Sequence, residues 1–351
     1  MSTPLPKLSY VLLSHNREKY IRAAIESAFA QDYEGELEYI FSDDCSTDRT
    51  FEIIKECVAE YKGNRRVVVT QTPENLHLAG NTNHAVQFVE SDWVIRADDD
   101  DLSSCSRCSI IGNAIARHPD VKFIATSYIN YTEQEEDLIL EQSLLPVVDI
   151  NNEGICSIRD NKVSPPKFDY SYYFKAWHID IYHKFGPLPE KANYVDDLIC
   201  YYRGCVLGES LYINSKPLVF ARIDSGNQSV GGVRRDKKDA ESVVIHELFL
   251  QKYYNQSLAP MQKTAKLIID YVKQHYTEEQ TCCASFFLTS LRIHVNELAD
   301  MSLYWERGFL YRWQTAKRYS RMSLFLLIRC FPLPIYARIL SFARMIKHLI
   351  K

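Results

Sequence analysis

An apolar run leads directly into four consecutive acids in the stretch Trp93-Val-Ile-Arg-Ala-Asp98-Asp-Asp-Asp101. Adjacent carboxylates repel one another unless a cation lies among them. Carboxylate oxygens are the ligands that Mg²⁺ and Mn²⁺ prefer, and a metal bound in this way commonly binds phosphates as well. A solvated acidic loop is the alternative interpretation of such a run taken alone. A second acidic pair, Asp43-Asp44, follows an earlier strand-like run and favours the metal site.

The acidic run ends the fourth strand of a regular alternation of strands and helices. Hydrophobic spacing predicts strands at 8–13, 37–41, 67–70 and 93–97, and helices at 18–30, 48–61 and 82–89. This alternation is typical of a parallel, doubly wound sheet, in which ligands bind beyond the carboxyl ends of the strands. His15-Asn16, Asp43-Asp44 and Asp98–Asp101 each follow a predicted strand, so we expect them at one edge of the sheet.

The pattern is less regular after residue 102. We predict a helix at 108–116, a strand at 121–127 and an acidic, polar loop at 132–143. From about residue 240 onwards helical spacing dominates, and few turn residues interrupt it before Pro332. The chain is therefore expected to combine an α/β part with a helical C-terminal extension.

The composition is that of a soluble protein with a substantial core, because 46% of the 351 residues are hydrophobic and 25% are charged. No basic segment followed by a long apolar run occurs after Met1, so we expect no secretory signal. The ten cysteines have no regular spacing, which fits free thiols in the cytosol. Cys105 and Cys108 lack a second pair or a histidine partner at zinc-finger spacing, so a zinc site is not predicted.

The net charge of −4 conceals a basic tail. Residues 304–351 carry ten Lys or Arg and one acid, a net charge of +9, and the remainder of the chain carries −13. Residues 335–350 place apolar side chains on one helical face and basic ones opposite, which predicts an amphipathic helix on an anionic membrane surface. A helix packed on the body of the protein with a solvated basic face is the alternative. A basic tail could also bind nucleic acid, but nothing else in the sequence indicates this function.

Several motifs occur in a fixed order along the chain. They are Val11-Leu-Leu-Ser-His-Asn-Arg-Glu-Lys-Tyr20, Ile25-Glu-Ser-Ala-Phe-Ala-Gln31, Phe41-Ser-Asp-Asp-Cys-Ser-Thr-Asp-Arg-Thr50, Ala97-Asp-Asp-Asp-Asp101, Asp196-Asp-Leu-Ile-Cys-Tyr-Tyr-Arg203 and Lys216-Pro-Leu-Val-Phe-Ala-Arg222. As an ordered set they resemble the family 2 glycosyltransferases, which have the GT-A fold and mostly invert the anomeric carbon. The likeness covers roughly residues 8–230.

The resemblance implies a GT-A domain at 1–235, with a Rossmann-like, mostly parallel doubly wound sheet. Its nucleotide-binding part would span 8–101 and its acceptor-binding part 102–235, followed by a helical region at 236–351 that ends in the basic tail. The aromatic-rich stretch 270–313 is either internal packing or an interface of a homo-oligomer.

The resemblance also implies a nucleotide-sugar site. Its candidate residues are Ser14, His15, Asn16, Arg17, Asp44, Asn83, Asp98 and Asp99. Asp44 matches the family position that binds the base, although it, Asp43 and Asp48 could instead shape a turn and cap the next helix. Asp100 and Asp98 fit the D-x-D spacing and would hold Mn²⁺ or Mg²⁺, and a register that uses Asp99 and Asp101 stays open.

Asp197 is the candidate general base, with Asp196 beside it, because inversion needs a carboxylate near the acceptor hydroxyl. The two acids are expected to raise one another's pKa slightly, and helix capping is the structural alternative. Arg203 and Arg222 are candidates for either diphosphate or structural contacts. Trp177, with the cluster Tyr170–Tyr173, is a candidate for acceptor stacking or for core packing.

Together these features predict transfer of a hexose or N-acetylhexosamine from a nucleotide sugar to a saccharide hydroxyl. The family resemblance implies UDP as the nucleotide. The basic tail suggests a lipid-linked oligosaccharide acceptor in cell-surface polysaccharide biosynthesis, such as O-antigen or capsule, at the cytoplasmic face of the membrane. An inactive nucleotide-sugar-binding or membrane-attached scaffold protein is the main alternative. A sugar nucleotidylyltransferase is disfavoured because Ser14-His-Asn-Arg17 is not a glycine-rich phosphate loop, and a dinucleotide oxidoreductase lacks its G-x-G-x-x-G.

Overall fold

The structure is a computed structural model that describes residues 4–147, 153–159, 175–189, 192, 195–213, 216–223, 240–304, 306–307, 312 and 314–315. The chain divides into two compact units, Met1–Ile223 with Lys266–Phe287, and Asp224–Ala265 with Leu288–Lys351. The predicted boundary at residue 235 stays a prediction. The amphipathic tail at 335–350, the cluster Tyr170–Tyr173 and Asn193-Tyr194 lie outside the described residues.

The N-terminal half alternates strands and helices as expected. Its elements are β1 (Leu8–Ser14), α1 (Ile21–Phe29), β2 (Leu37–Asp43), α2 (Thr50–Glu60), β3 (Val67–Gln71), α3 (His77–Val86) and β4 (Trp93–Asp98). Strands β1 and β2 are buried along their whole length, which explains their near-continuous apolar character. All seven predicted elements are confirmed, although α3 begins at His77, five residues before the predicted start.

The order of the first four strands is β3-β2-β1-β4, and all of them are parallel. The chain leaves β1 for β2 on one side and later returns to β4 on the other, so the strand order reverses beside β1. The register pairs Ser14 with Asp43 and Leu13 with Asp98. The polar residues that follow β1, β2 and β4 therefore meet at one edge of the sheet, as predicted.

The later strands extend this sheet and form a second one. The elements are β5 (Leu102–Ser103), α4 (Arg107–Arg117), β6 (Val121–Thr126), β7 (Tyr128–Tyr131), α5 (Glu136–Ser143), β8 (Glu153–Cys156), β9 (Lys175–His178), α6 (Asp180–His183), α7 (Asp196–Leu207), β10 (Glu209–Ile213) and β11 (Val219–Arg222). The large sheet continues β4-β9-β6-β10-β8, and β9 lies antiparallel between β4 and β6. The small sheet has the order β5-β11-β7.

The predicted loop at 132–143 was wrong. Residues Glu133–Glu135 form a 3₁₀ turn and Glu136–Ser143 form α5. Thr132 and Glu135 make a reciprocal capping box at the start of this segment, and the buried Ile139 packs in a small cluster with Leu102 and Phe220. Capping and a single apolar anchor outweigh the polar composition that had suggested a loop.

The C-terminal part is helical as predicted, with α8 (Ala240–His275), α9 (Glu278–Cys283) and α10 (Ser285–Ser302). None of the helices in the described part of the chain combines the length and the apolarity that a membrane crossing requires.

Candidate active site

Among the described residues, three other than glycine adopt left-handed backbone conformations, and each follows one of the first three strands. They are Asn16 with φ 53°, Cys45 with φ 53° and His77 with φ 59°. Such conformations are costly for L-residues and cluster at functional sites. Hydrogen bonds hold the first of them, because the Asn16 N–H donates to Ser46 Oγ and its Oδ1 accepts from the Thr47 N–H. The backbone turn at Asn16 is thus held in one conformation at the polar edge of the sheet.

Asp43 and Asp44 have different surroundings. The Asp43 carboxylate accepts hydrogen bonds from the Ser46 N–H and hydroxyl and from the Gln71 amide, so it shapes the turn after β2. Asp48 accepts from the Thr50 N–H in the same way. These contacts agree with the structural alternative weighed for both acids.

Asp44 is held in one orientation but keeps an acceptor atom. Its Oδ1 accepts from the Thr72 hydroxyl at 2.9 Å and from the Leu76 N–H at 2.8 Å. Among the described residues its Oδ2 has no hydrogen-bond partner. A fixed carboxylate with one acceptor oxygen left over suits recognition of an N–H group on a planar base.

The contacts of His15 fix its tautomer. The Nε2 atom lies 3.1 Å from the amide nitrogens of Asn16 and Asn75, whose own oxygens accept backbone N–H bonds. Those nitrogens are therefore donors, and Nε2 accepts. Nδ1 then carries the proton and donates it to the Asp44 carbonyl at 2.8 Å. The ring is locked beside Asp44 with both nitrogens engaged.

Two further candidates for nucleotide binding, Ser14 and Asn83, lie on β1 and α3. Ser14 is buried and its hydroxyl approaches Asp43, so it supports the turn. The Asn83 side chain bonds reciprocally to the backbone of Leu188, at 3.0 and 2.8 Å, and both of its polar groups are engaged. Sequence reasoning missed Asn81, which is buried and bonds to Ser42 on β2. No local pattern marks it, because its partner lies 39 residues away.

The four acids after β4 divide into two pairs. Asp99 accepts a hydrogen bond from the His15 N–H at 2.7 Å, and Asp101 accepts one from the Arg222 N–H at 2.8 Å. Burial and the neighbouring acids raise the pKa of both carboxyls well above the usual range. These two side chains fasten the acidic turn to the rest of the fold.

Asp98 and Asp100 each face a cationic side chain, although Arg17 Nε also lies 3.7 Å from Asp99 Oδ1. Arg96 Nη2 lies 2.9 Å from Asp98 Oδ1, and Arg17 Nε lies 3.4 Å from Asp100 Oδ2. In the described part of the chain, no cluster of three His, Cys, Asp or Glu is arranged to hold a metal ion. Mg²⁺, however, is commonly bound through one or two carboxylates, with substrate phosphates and water completing its shell. The oxygen donors of Asp98 and Asp100 fit that mode, and favour this register over Asp99 with Asp101.

Arg222 holds the acidic turn in place through hydrogen bonds. Its guanidinium forms a bidentate pair with Glu136 at 2.6 and 3.1 Å and lies between the rings of Tyr20 and Tyr131. Its Nε also donates to the Asp100 carbonyl at 3.2 Å. The side chain is buried, which makes Arg222 a support for the acids.

Replacing Arg222 by methionine is expected to lower the free energy of unfolding by about 2–3 kcal/mol, because charged hydrogen bonds and cation–π contacts are lost together. Urea unfolding measures this change. Lys19→Met is the control, since its exposed pair with Glu133 contributes little. Equal stability of the two variants would contradict the supporting role.

Arg203 and Trp177 lie inside the protein. Arg203 donates to the carbonyls of Ile181, Gly186 and Pro187 and so joins α7 to the preceding loop. Trp177 lies on β9 between β4 and β6 with 1% of its surface exposed. Placed in this way, the indole presents no face on which a sugar ring could stack.

Asp196 and Asp197 begin α7 and share a buried arginine from β4. Arg96 Nη1 lies 2.7 Å from Asp196 Oδ2 and 2.7 Å from Asp197 Oδ1. Lys175 Nζ on β9 lies 3.2 Å from Asp197 Oδ2. The expected rise in pKa is found at Asp196, where it is more than slight, but not at Asp197.

The surroundings of the two carboxyls shift their pKa values in opposite directions. Burial and the Asp197 charge raise the pKa of Asp196 to about 7. Burial also acts to raise the pKa of Asp197, but Arg96 and Lys175 outweigh it, and that pKa is lowered. Sequence reasoning missed both cations. An arginine inside an otherwise apolar strand was the available signal for Arg96, because a buried charge needs a partner.

Comparisons with known proteins identify the family and the fold. A family model described as Glycosyl transferase family 2 matches residues 9–186. EpsE of Bacillus subtilis, which is named as a glycosyltransferase, is 31% identical over 128 residues, or 36% of this chain and 45% of its own. A Staphylococcus aureus protein, poly(ribitol-phosphate) beta-N-acetylglucosaminyltransferase TarS, is 33% identical over 97 residues, or 27% of this chain and 16% of its own. The chain thus spans less than half the length of these relatives.

A solved structure shares the fold. Residues 1–349 of S. aureus TarS, crystallised with UDP-GlcNAc, align with 97% of this chain and 91% of that one at 15% identity and a TM-score of 0.51. The similarity confirms the GT-A architecture that the sequence motifs implied, with helices following the α/β part.

Proposed function

Because the chain belongs to glycosyl transferase family 2 and is a glycosyltransferase, we propose that it transfers a hexose or N-acetylhexosamine from a UDP-linked donor to a saccharide hydroxyl, with inversion at the anomeric carbon. One observation carries the proposal. Arg96 contacts Asp98 on the donor side and both Asp196 and Asp197 on the acceptor side, so the two groups of acids belong to one site.

The donor would bind at the edge formed by the loops after β1, β2 and β4. Asp44 offers its Oδ2 to an N–H of the base, and the locked ring of His15 and the Asn16 turn lie beside it. Arg17 brings a positive charge close to Asp100, where a diphosphate would lie. Asp98 and Asp100 would hold Mg²⁺ or Mn²⁺, which when bound neutralises charge on the leaving diphosphate.

The Asp196–Asp197 pair would act on the acceptor, with Asp197 as the general base. The acceptor oxygen forms a bond to the anomeric carbon while its proton passes to the Asp197 carboxylate. The bond between that carbon and the diphosphate oxygen breaks, and its electron pair leaves with the nucleoside diphosphate. The proton is then released to solvent, which restores the carboxylate.

The acceptor and the location are the finer parts of the proposal. TarS is named for transfer of N-acetylglucosamine to a poly(ribitol-phosphate), which supports a polymer as the acceptor. We place this acceptor in cell-surface polysaccharide biosynthesis. The basic tail supports attachment at the cytoplasmic face of the membrane and a lipid-linked saccharide acceptor. We keep the division at residue 235, between the GT-A domain and the helical region, as part of this proposal.

Donor binding provides the first test. UDP-, GDP-, dTDP- and CMP-sugars are compared by thermal shift, each with Mn²⁺ or with EDTA, on wild type and Asp100→Asn. One donor class is expected to stabilise the wild type, by about 2.7 kcal/mol at 100 times its dissociation constant. The shift should need Mn²⁺ and should disappear in Asp100→Asn.

Asp137→Asn is the matched control, because this exposed acid on α5 takes no part in the proposed site. It should retain the full shift. If no nucleotide sugar stabilises folded wild-type protein, or if Asp100→Asn responds like Asp137→Asn, the donor site assigned here is wrong.

A further inference from the structure

Lys175 is a buried cation with a single carboxylate partner. Its side chain is 7% exposed, and Nζ lies 3.2 Å from Asp197 Oδ2. A lysine is rarely buried to this extent unless a partner compensates for the loss of its hydration. Within the described part of the chain, Asp197 is the only acid that it pairs with.

Arg96 has a different distribution of contacts. Its Nη1 is shared between Asp196 and Asp197, and its Nη2 binds Asp98. One guanidinium therefore serves three carboxylates, and its contact fixes only the Oδ1 atom of Asp197. Of the residues that the structure describes, Lys175 alone holds the other oxygen, Oδ2.

We propose that Lys175 is a positioning residue for glycosyl transfer, which fixes the plane of the Asp197 carboxylate and keeps that carboxylate ionised for the acceptor hydroxyl. The inference rests on the proposed function and names the residue that orients its base. With one anchor a carboxylate turns freely about its Cβ–Cγ bond. With an anchor on each oxygen, its remaining lone pairs point in set directions.

The charges around Asp197 give Lys175 a second effect. Arg96 and Asp98 face the acid from β4, Lys175 faces it from β9, and Asp196 adjoins it on α7. Cys200 is also buried on α7, and the Tyr182 hydroxyl is buried on α6. Without Lys175, Arg96 alone would face three carboxylates. The pKa of Asp197 would then rise, because one of the two cations that lower it is gone.

The test compares Lys175→Met with wild type by the release of UDP from UDP-N-acetylglucosamine, with water as the acceptor, or of nucleotide from the donor identified by thermal shift. We expect kcat to fall about ten- to a hundredfold, as is typical when a reacting group is misplaced. The donor KM should change less than about twofold, because the described partner of Lys175 is Asp197 and not a residue assigned to the donor. The acid limb of the kcat/KM profile should move to higher pH.

Two variants control the result. Lys175→Arg keeps the charge and should restore most of kcat and the wild-type pH limb. Lys122→Met removes a lysine that lies 3.2 Å from Asp180, next to β9 but outside the site, and should leave kcat unchanged. A circular dichroism melt establishes that each variant is folded.

The two possible failures can be told apart. If Asp197→Asn and wild type release nucleotide at equal rates, the proposed function fails. If Asp197→Asn is inactive while Lys175→Met keeps the wild-type kcat and pH profile, only the positioning role is overturned. An equal loss in Lys175→Met and Lys175→Arg would also overturn it, because the role requires the charge.

Discussion

Replacing Arg96 by methionine is expected to lower the free energy of unfolding by about 3–5 kcal/mol at pH 8, because removing one partner of a buried ion pair leaves uncompensated charge. The side chain is 6% exposed, and it contacts Asp98, Asp196 and Asp197. In the variant, Lys175 alone would compensate the three acids. Urea unfolding, monitored by circular dichroism, measures the change.

The loss should be smaller at pH 5 than at pH 8. Arg96 acts to lower the pKa of Asp196 and Asp197, so the stability it contributes exists while these carboxyls are ionised. That contribution disappears as the pH falls through the pKa of each acid, first that of Asp196, which lies at about 7. In the variant both acids would take up protons at higher pH than in the wild type. This protonation limits the loss in free energy of unfolding at pH 5.

Arg22→Met is the control for this experiment. Arg22 also contacts two carboxylates, Glu56 and Glu60, but all three side chains are solvent-exposed. Exposed pairs contribute about 0–1 kcal/mol, so this variant should stay near wild type at both pH values. An Arg96→Met protein as stable as Arg22→Met would show that the buried cluster is not held by Arg96.

Asp197→Asn is expected to lower kcat about 10²- to 10⁴-fold, the usual contribution of a positioned general base. An amide has nearly the shape of a carboxylate but cannot take up the proton of the acceptor hydroxyl. Donor binding should persist, because the donor contacts proposed here lie on the loops after β1, β2 and β4. Turnover of the donor and its thermal shift, measured on the same protein, separate these two effects.

Asp180→Asn is the matched control, since this acid pairs with Lys122 at 3.2 Å outside the site. It should keep the wild-type rate. A larger loss in Asp196→Asn than in Asp197→Asn would transfer the role of base to Asp196. Wild-type turnover in Asp197→Asn would show that Asp197 is not the base. A biological role retained in Asp197→Asn, with no turnover in the wild type, would instead support the alternative of a donor-binding scaffold.

The alternation of strands and helices over residues 8–101 could be predicted from local sequence patterns. Strands β1, β2, β3 and β4 are confirmed. Parallel strands are marked by continuous apolar runs, and the helices between them are marked by apolar residues at helical spacing. The edge at which Asp43-Asp44 and Asp98–Asp101 meet also followed from sequence, since parallel strands end on the same side. These features depend on local patterns and on rules of chain connection.

The pairing of the buried charges, in contrast, depends on contacts between distant parts of the chain. Arg96 and Asp196 are 100 residues apart, and Lys175 reaches Asp197 only because β9 inserts antiparallel between β4 and β6. The same insertion buries Trp177. Local periodicity shows whether a segment is buried, but it does not encode which distant strand lies beside it. A buried charge takes its partner from that neighbour, so the environment of the Asp196–Asp197 pair could not be predicted from the sequence.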